Sequence, residues 1–312
     1  MPDIGRRIPA LAGLLLLLAA CQQGSGCALV RVAQLPLEER DKVFLVPLTL
    51  NGHTLKMLLD TGAQKTMLDA GAVRRLGIPQ DGRTFSIMVG IGGGSPVADA
   101  NVQGLLLGGV PVGIDRMPVS TFDGASGASG VLGLDILRDY DLDIDGPNRT
   151  LTLYRVRRCE RADPPWNQAG VPVEGVGTRI GWMEIPIEID GVMGTGAVDT
   201  GASYTTIMPR MARRLGLTER AMAGDETVQV HVVAGADAEA RIHRAETIKV
   251  GPALGHGVPI LVLGKEPPAL GGGQQFGDAV VGQDVLGARR VWFSLATGRL
   301  FMSRLDGGAT AR

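Results

Sequence analysis

The hexapeptide Leu58-Leu59-Asp60-Thr61-Gly62-Ala63 recurs as Ala197-Val198-Asp199-Thr200-Gly201-Ala202, and its two aspartates are 199 − 60 = 139 residues apart. The match continues on both sides. Val43-Phe44-Leu45-Val46-Pro47-Leu48-Thr49-Leu50-Asn51-Gly52 lines up with Trp182-Met183-Glu184-Ile185-Pro186-Ile187-Glu188-Ile189-Asp190-Gly191. Ala72-Val73-Arg74-Arg75-Leu76-Gly77-Ile78 lines up with Met211-Ala212-Arg213-Arg214-Leu215-Gly216-Leu217 at the same offset, 214 − 75 = 139. Further on, Val131-Leu132-Gly133-Leu134-Asp135-Ile136-Leu137 answers Val280-Val281-Gly282-Gln283-Asp284-Val285-Leu286, now at 284 − 135 = 149, so the second copy carries ten extra residues in between. A period this long exceeds any solenoid unit and predicts two duplicated lobes, each contributing one aspartate.

The rest of the composition agrees with small β-rich lobes. The 312 residues leave room for two modest domains, and 46 Gly and 18 Pro with only 4% aromatics suit short strands and tight turns better than helical bundles. A net charge of −1 without a long basic run argues against a nucleic-acid partner.

The amino terminus reads as a targeting segment. Arg6 and Arg7 precede an apolar run from Leu11 to Ala20, which is short for a membrane span. It ends Leu18-Ala19-Ala20-Cys21, which resembles a bacterial lipobox, and that resemblance implies lipidation of Cys21. The alternative is an ordinary secretory signal that leaves Cys21 a plain thiol. Gln22 after the cysteine, by the same resemblance, implies the outer rather than the inner membrane, with the protein periplasmic and held by a lipid anchor. Cys27 and Cys159 then either pair, which an oxidising compartment permits, or remain two free thiols.

Residues 22–42 read as a tether, 43–156 as the first lobe, 157–178 as a linker carrying Pro164-Pro165, 179–306 as the second lobe and 307–312 as a tail. Residues 43–50 and 53–59 predict a hairpin about Asn51-Gly52, which delivers Asp60 at the end of its return strand; Asp190-Gly191 predicts the same in the second lobe. Residues 68–76 predict a short helix closed by Gly77 and Pro79, and Pro209 opens its counterpart. Residues 84–97 predict two strands around a tip containing Gly92, Gly93 and Gly94, with residues 102–112 and 142–154 as further strands. Asp141, Asp143 and Asp145 alternate along one strand and read as a solvated face.

Two Asp-Thr-Gly turns meeting across a pseudo-dyad would bring two carboxyl groups into contact. Like charges that close cannot both ionise, so the pair holds one proton over a wide pH range. Such a pair can take a proton from water while giving one to a carbonyl oxygen. The threonine hydroxyls are placed to bond across to the opposite turn, and the Gly62 and Gly201 amides to hold the carboxylates in plane.

On these residues the chain resembles aspartic proteases of the pepsin and retropepsin superfamily. The resemblance covers roughly residues 43–304 and includes Val131-Leu132-Gly133 and Val280-Val281-Gly282 after the turns. It implies a mostly β fold of two pseudo-symmetric retropepsin-like β-barrel lobes with the active site in the cleft between them. Asp60 and Asp199 would be the catalytic dyad, supported by Thr61, Gly62, Thr200, Gly201, Gly133 and Gly282. The implied partner is a polypeptide substrate in extended conformation, with no cofactor and no metal, and the two lobes of one chain suit a monomer. Gly92, Gly93 and Gly94 resemble a glycine-rich retropepsin flap, although a mobile hairpin end has the same composition. Residues 232–236 are a weaker flap candidate in the second lobe.

The departures carry expectations of their own. No tyrosine stands in the flap candidate, and Ala63 and Ala202 replace the serine common after this glycine in pepsins. Losing a hydroxyl donor raises carboxyl pKa values, so the expected pH optimum is less acid than pepsin's. The four histidines form no metal-ligand spacing, and residues 124–130 lack the G-x-S-x-G pattern of a nucleophile elbow. The competing reading is a peptide-binding module on the same fold, against which both Asp-Thr-Gly turns are intact.

Overall fold

The computed structural model describes residues 28–90, 93–121, 127–157, 163–166, 170–173, 175, 177–179, 182–230, 237–267, 277–295 and 297–304. The targeting segment, Cys21, Cys27, Cys159, Gly92, residues 231–236 and Gly271-Gly272-Gly273 lie outside the described residues.

The predicted opening hairpin forms in both lobes. Val43–Leu50 pairs antiparallel with His53–Leu59, and Trp182–Ile189 with Val192–Val198. The two-residue turns take the left-handed backbone that a tight hairpin requires, with φ of 51° and 79° at Asn51-Gly52 and 46° and 78° at Asp190-Gly191. The short helices follow. Ala70–Leu76 is capped by the Asp69 carboxylate, which accepts from the Ala72 amide, and by Gly77 at φ 62°, while Pro209–Arg214 starts on its proline.

Each lobe then carries a long hairpin, Gln80–Gly90 with Gly93–Asn101 and Glu226–Val230 with Ala238–Val250. Gly93 and Gly94 therefore begin a strand rather than form the tip. In the first hairpin Met88 turns inward to join Met67, Val131, Leu58, Ala63 and Val97, whereas Phe85 and Ile87 stand exposed on the opposite face. The hairpin thus lies over the turn that holds Asp60. The extra residues of the second copy can be placed from the strand pairing. Val119 pairs beside Leu68 and Val262 beside Ile207, so the offset has risen to 262 − 119 = 143 there, and the remaining six residues fall in the loop before Val280.

A third, six-stranded sheet joins the lobes. Asp141–Asp145 from the first pairs antiparallel with Arg290–Ser294 from the second, flanked by Thr150–Arg157 and Ala28–Pro36 on one side and by Arg299–Met302 and Val171–Val173 on the other. One face of it is apolar: Leu142, Ile144, Leu151, Leu153, Val291, Phe293, Leu300 and Met302 are all buried in one core continuous with both lobes.

Three expectations change here. From Ala28 onward the segment read as a tether is an edge strand, because Thr150–Arg157 offers it eight residue pairings. The segment read as a linker likewise contributes Val171–Val173 to the other edge. Two of the three alternating aspartates do not face solvent: Asp141 is 2% and Asp143 1% exposed, while Asp145 is partly exposed. Their face is closed by the other lobe and by Trp166. Arg290 makes two bonds to the Asp143 carboxylate (2.9 and 2.6 Å), the Trp166 indole N–H donates to it at 3.1 Å, and the Arg290 guanidinium lies 5.2 Å from the Trp166 ring centre.

Among the described residues Asp141 has no such cation. The Ser294 hydroxyl bonds it, its Oδ2 has no partner among the described residues, and burial pushes the carboxyl up to about 6. A folded-state value above the ordinary carboxylate range means that the group's favourable contribution is complete at low pH. That contribution is lost as pH rises through about 6. Asp141→Asn is therefore expected to melt about 5 °C above the parent at pH 8, with the gap closing by pH 4, in paired thermal denaturation scans. Equal melting temperatures at both pH values would mean that the Asp141 carboxyl ionises in the folded protein as it does in the unfolded chain.

Candidate active site

Each catalytic candidate is positioned by strands on both flanks. Gly130–Leu132 runs parallel to the end of the Asp60 strand, and the Asp60 amide bonds the Leu132 carbonyl at 3.1 Å; Ala279–Val281 does the same for Asp199, whose amide bonds the Val281 carbonyl at 3.0 Å. Behind each turn sits a second repeated device. Asp135 accepts from the Thr66 amide (2.8 Å) and hydroxyl (2.6 Å), and Asp284 accepts from the Thr205 amide (2.9 Å) and hydroxyl (2.8 Å). The same hydroxyls accept from the Gly133 and Gly282 amides.

Those two glycines are required by packing. A methyl at Gly133 would stand 2.7 Å from the Lys65 carbonyl carbon, and one at Gly282 2.7 Å from that of Tyr204. Thr66, Thr205, Asp135 and Asp284 were not read from the sequence as site residues. Their signal was there, since each recurs at the matching offset within the repeat (205 − 66 = 139; 284 − 135 = 149).

The two turns are locked reciprocally. The Thr61 amide donates to the Thr200 hydroxyl (3.0 Å) and the Thr200 amide to the Thr61 hydroxyl (3.1 Å). Each hydroxyl then donates onward to the opposite lobe, Thr61 to the Val198 carbonyl (2.9 Å) and Thr200 to the Leu59 carbonyl (2.7 Å). Every hydroxyl is thus used as donor and acceptor, at 2% and 1% exposure for the two threonines, so no polar atom of the lock needs water.

This lock brings Asp60 and Asp199 into side-chain hydrogen-bond contact. The Gly62 and Ala63 amides both donate to Asp60 Oδ1 at 2.8 Å, and the Gly201 amide to Asp199 Oδ1 at 2.7 Å. A methyl on Gly62 would fall on the Asp199 carboxyl group, and one on Gly201 would lie 2.5 Å from Asp60 Cγ, so each glycine is packed against the other lobe's acid.

Burial raises both carboxyls. For Asp60 the neighbouring charge of Asp199 adds to the rise, against the pull of the Ala63 and Gly62 amides; for Asp199 the Gly201 amide is the main opposing influence. The pair consequently holds a proton to higher pH than a free carboxyl would.

Of the remaining sequence-predicted residues, Gly93 and Gly94 belong to the hairpin over Asp60, and the second-lobe hairpin exists although residues 232–236 lie outside the described part. Two further side chains, Trp182 and Gln283, reach the turns and had no signal as site residues. Each differs from its counterpart in the first copy.

The aspartyl protease family model matches residues 46–136 and 185–285, one segment in each lobe and together more than half of the chain. The chain belongs to the aspartyl protease family. Each matched segment contains one Asp-Thr-Gly turn and its trailing Gly-x-Asp, so the family match and the internal repeat fall on the same residues. No curated protein matches the chain.

Because the threonines form one unit, Thr61→Val and Thr200→Val are each expected to destabilise by about 2–4 kcal/mol, since each leaves a buried amide and carbonyl unpaired. The double variant should lose clearly less than the sum. Denaturant unfolding of the four proteins measures this, and strict additivity would show that the hydroxyls act independently.

Proposed function

We propose that the protein is an aspartic endopeptidase that hydrolyses peptide bonds with water activated between Asp60 and Asp199. The observation that carries this reading is the contact of two carboxyls, each raised by burial, at the meeting of the two lobes. A pair with one proton has both partners that the reaction needs. The ionised carboxylate takes a proton from water as the water oxygen bonds to the carbonyl carbon, and the protonated carboxyl gives its proton to the carbonyl oxygen. The resulting gem-diol collapses as the now protonated carboxyl gives its proton to the amide nitrogen, the C–N bond breaks and the other carboxylate takes a proton from a gem-diol hydroxyl, which leaves the pair again with one proton and no covalent intermediate. The Gly62, Ala63 and Gly201 amides stabilise whichever carboxylate is charged.

An extended polypeptide suits the site because the hairpin of Gln80–Gly90 and Gly93–Asn101 lies over Asp60 and can add backbone bonds to a strand-like substrate. The protein would act as a monomer, since both acids come from one chain. Asp60→Asn and Asp199→Asn are each expected to lower cleavage of a peptide library on the order of 10⁴-fold, to retain the parent's circular dichroism, and to match the effect of pepstatin on the parent. The parent's pH–rate profile should peak at less acid pH than pepsin's, because Ala63 and Ala202 supply amides but no hydroxyl. Undiminished cleavage by either Asn variant would remove the dyad reading.

We further propose that residues 1–21 direct lipidation at Cys21 and hold the protein in the periplasm, on the outer membrane; the support is the Leu18-Ala19-Ala20-Cys21 sequence alone. Palmitate labelling in a bacterial host is expected to mark the parent and not Cys21→Ala, and label on the variant would overturn this anchoring.

A further inference from the structure

At equivalent positions of the two copies, two apolar side chains of the first lobe are replaced in the second by hydrogen-bond donors. Trp182 stands where the first lobe has Val43 (182 − 43 = 139), and Gln283 where it has Leu134 (283 − 134 = 149). Both donors are buried, at 7% and 5% exposure, and both reach a backbone carbonyl of a catalytic turn. The Trp182 indole N–H crosses to the other lobe and donates to the Gly62 carbonyl at 2.7 Å; the Gln283 side-chain amide donates to the Thr200 carbonyl at 2.8 Å.

The choice of carbonyls matters. The Gly62 carbonyl shares a peptide group with the Ala63 N–H, which donates to Asp60 Oδ1 at 2.8 Å. The Thr200 carbonyl shares one with the Gly201 N–H, which donates to Asp199 Oδ1 at 2.7 Å. Each acid is therefore at the end of a chain that runs from side-chain N–H to carbonyl, through one peptide unit, to N–H and carboxylate. Bonding at the oxygen of an amide polarises it and strengthens its N–H as a donor, and at this burial the effect is little screened.

We propose that Trp182 and Gln283 are positioning residues for the peptidase reaction, each polarising the amide that holds one catalytic carboxylate. Both come from the C-terminal lobe, so one lobe governs the proton balance of the whole pair. The proposal rests on the reading of Asp60 and Asp199 as the catalytic dyad, but the relay itself can be read without turnover.

The test is a titration of the full-length protein labelled with carboxyl-¹³C aspartate, with Asp60 and Asp199 resonances assigned through the two Asn variants. Trp182→Phe and Gln283→Leu remove the donors, and Val43 and Leu134 show that the fold accepts apolar side chains at these places. Gln283→Met, closer in length, is measured beside them to guard against a packing defect. The pair's titration is expected to move up by about 0.3 pH unit in each variant, the shift that follows if a charge-assisted bond loses roughly a fifth of its strength. The acid limb of kcat/KM, where cleavage is observed, should move with it. A lowered kcat with the titration unmoved would mean that the two side chains serve only packing, and overturns the inference. A shift in the titration of a protein that cleaves no peptide would instead leave the relay standing and remove the peptidase reading.

Discussion

Two acids cannot be held side by side unless something else holds their backbones together, and here that is the reciprocal bonding of Thr61 and Thr200. Each threonine satisfies the other's amide and then a carbonyl of the opposite lobe. The carboxyl groups, raised by burial, would by themselves push the turns apart once both were charged. With four hydrogen bonds closing the interface at full satisfaction, the turns stay at contact distance, and burial keeps the acids protonated to higher pH than free carboxyls. The glycines next to them follow from the same approach, since each lies where a methyl would meet the other lobe's acid.

The lock is small and needs a frame. The six-stranded sheet supplies one by pairing Asp141–Asp145 directly with Arg290–Ser294, so that the lobes share a ladder and an apolar face as well as a cleft. Its other face encloses polar groups, with Asp143 satisfied by Arg290 and Trp166, and Asp141 without a cation among the described residues. The junction therefore has its own dependence on pH, separate from that of the Asp60–Asp199 pair: here a neutral acid favours assembly.

Duplication explains the scaffold, and divergence between the copies explains the differences within it. The backbone devices recur in both lobes, down to Thr66 and Asp135 against Thr205 and Asp284. The tryptophan and glutamine that reach the turns in the second copy do not recur, since valine and leucine hold the equivalent positions of the first. The two turns are therefore braced unequally, by donors that only the second copy carries.

Much of the local structure was legible in the chain because its causes are local. Asn51-Gly52 and Asp190-Gly191 make their turns through backbone preferences of two residues, Asp69 and Gly77 cap a helix within a few residues, and the repeated Asp-Thr-Gly announced the two acids. Alternation of Asp141, Asp143 and Asp145 correctly indicated a strand but not its surroundings, because burial there is supplied by residues of the other lobe about 150 positions away, such as Arg290 at 290 − 143 = 147. Ala28–Pro36 looked like a tether for the same reason: nothing within the segment reveals the strand that pairs with it. The amino-acid sequence by itself determined the duplication, the opening hairpins and which carboxyls stand at the turns. Only the tertiary structure decided how close those carboxyls come, which amides hold them and which side chains brace the amides. Such contacts depend on the meeting of two surfaces, and no periodicity along one chain encodes that distance.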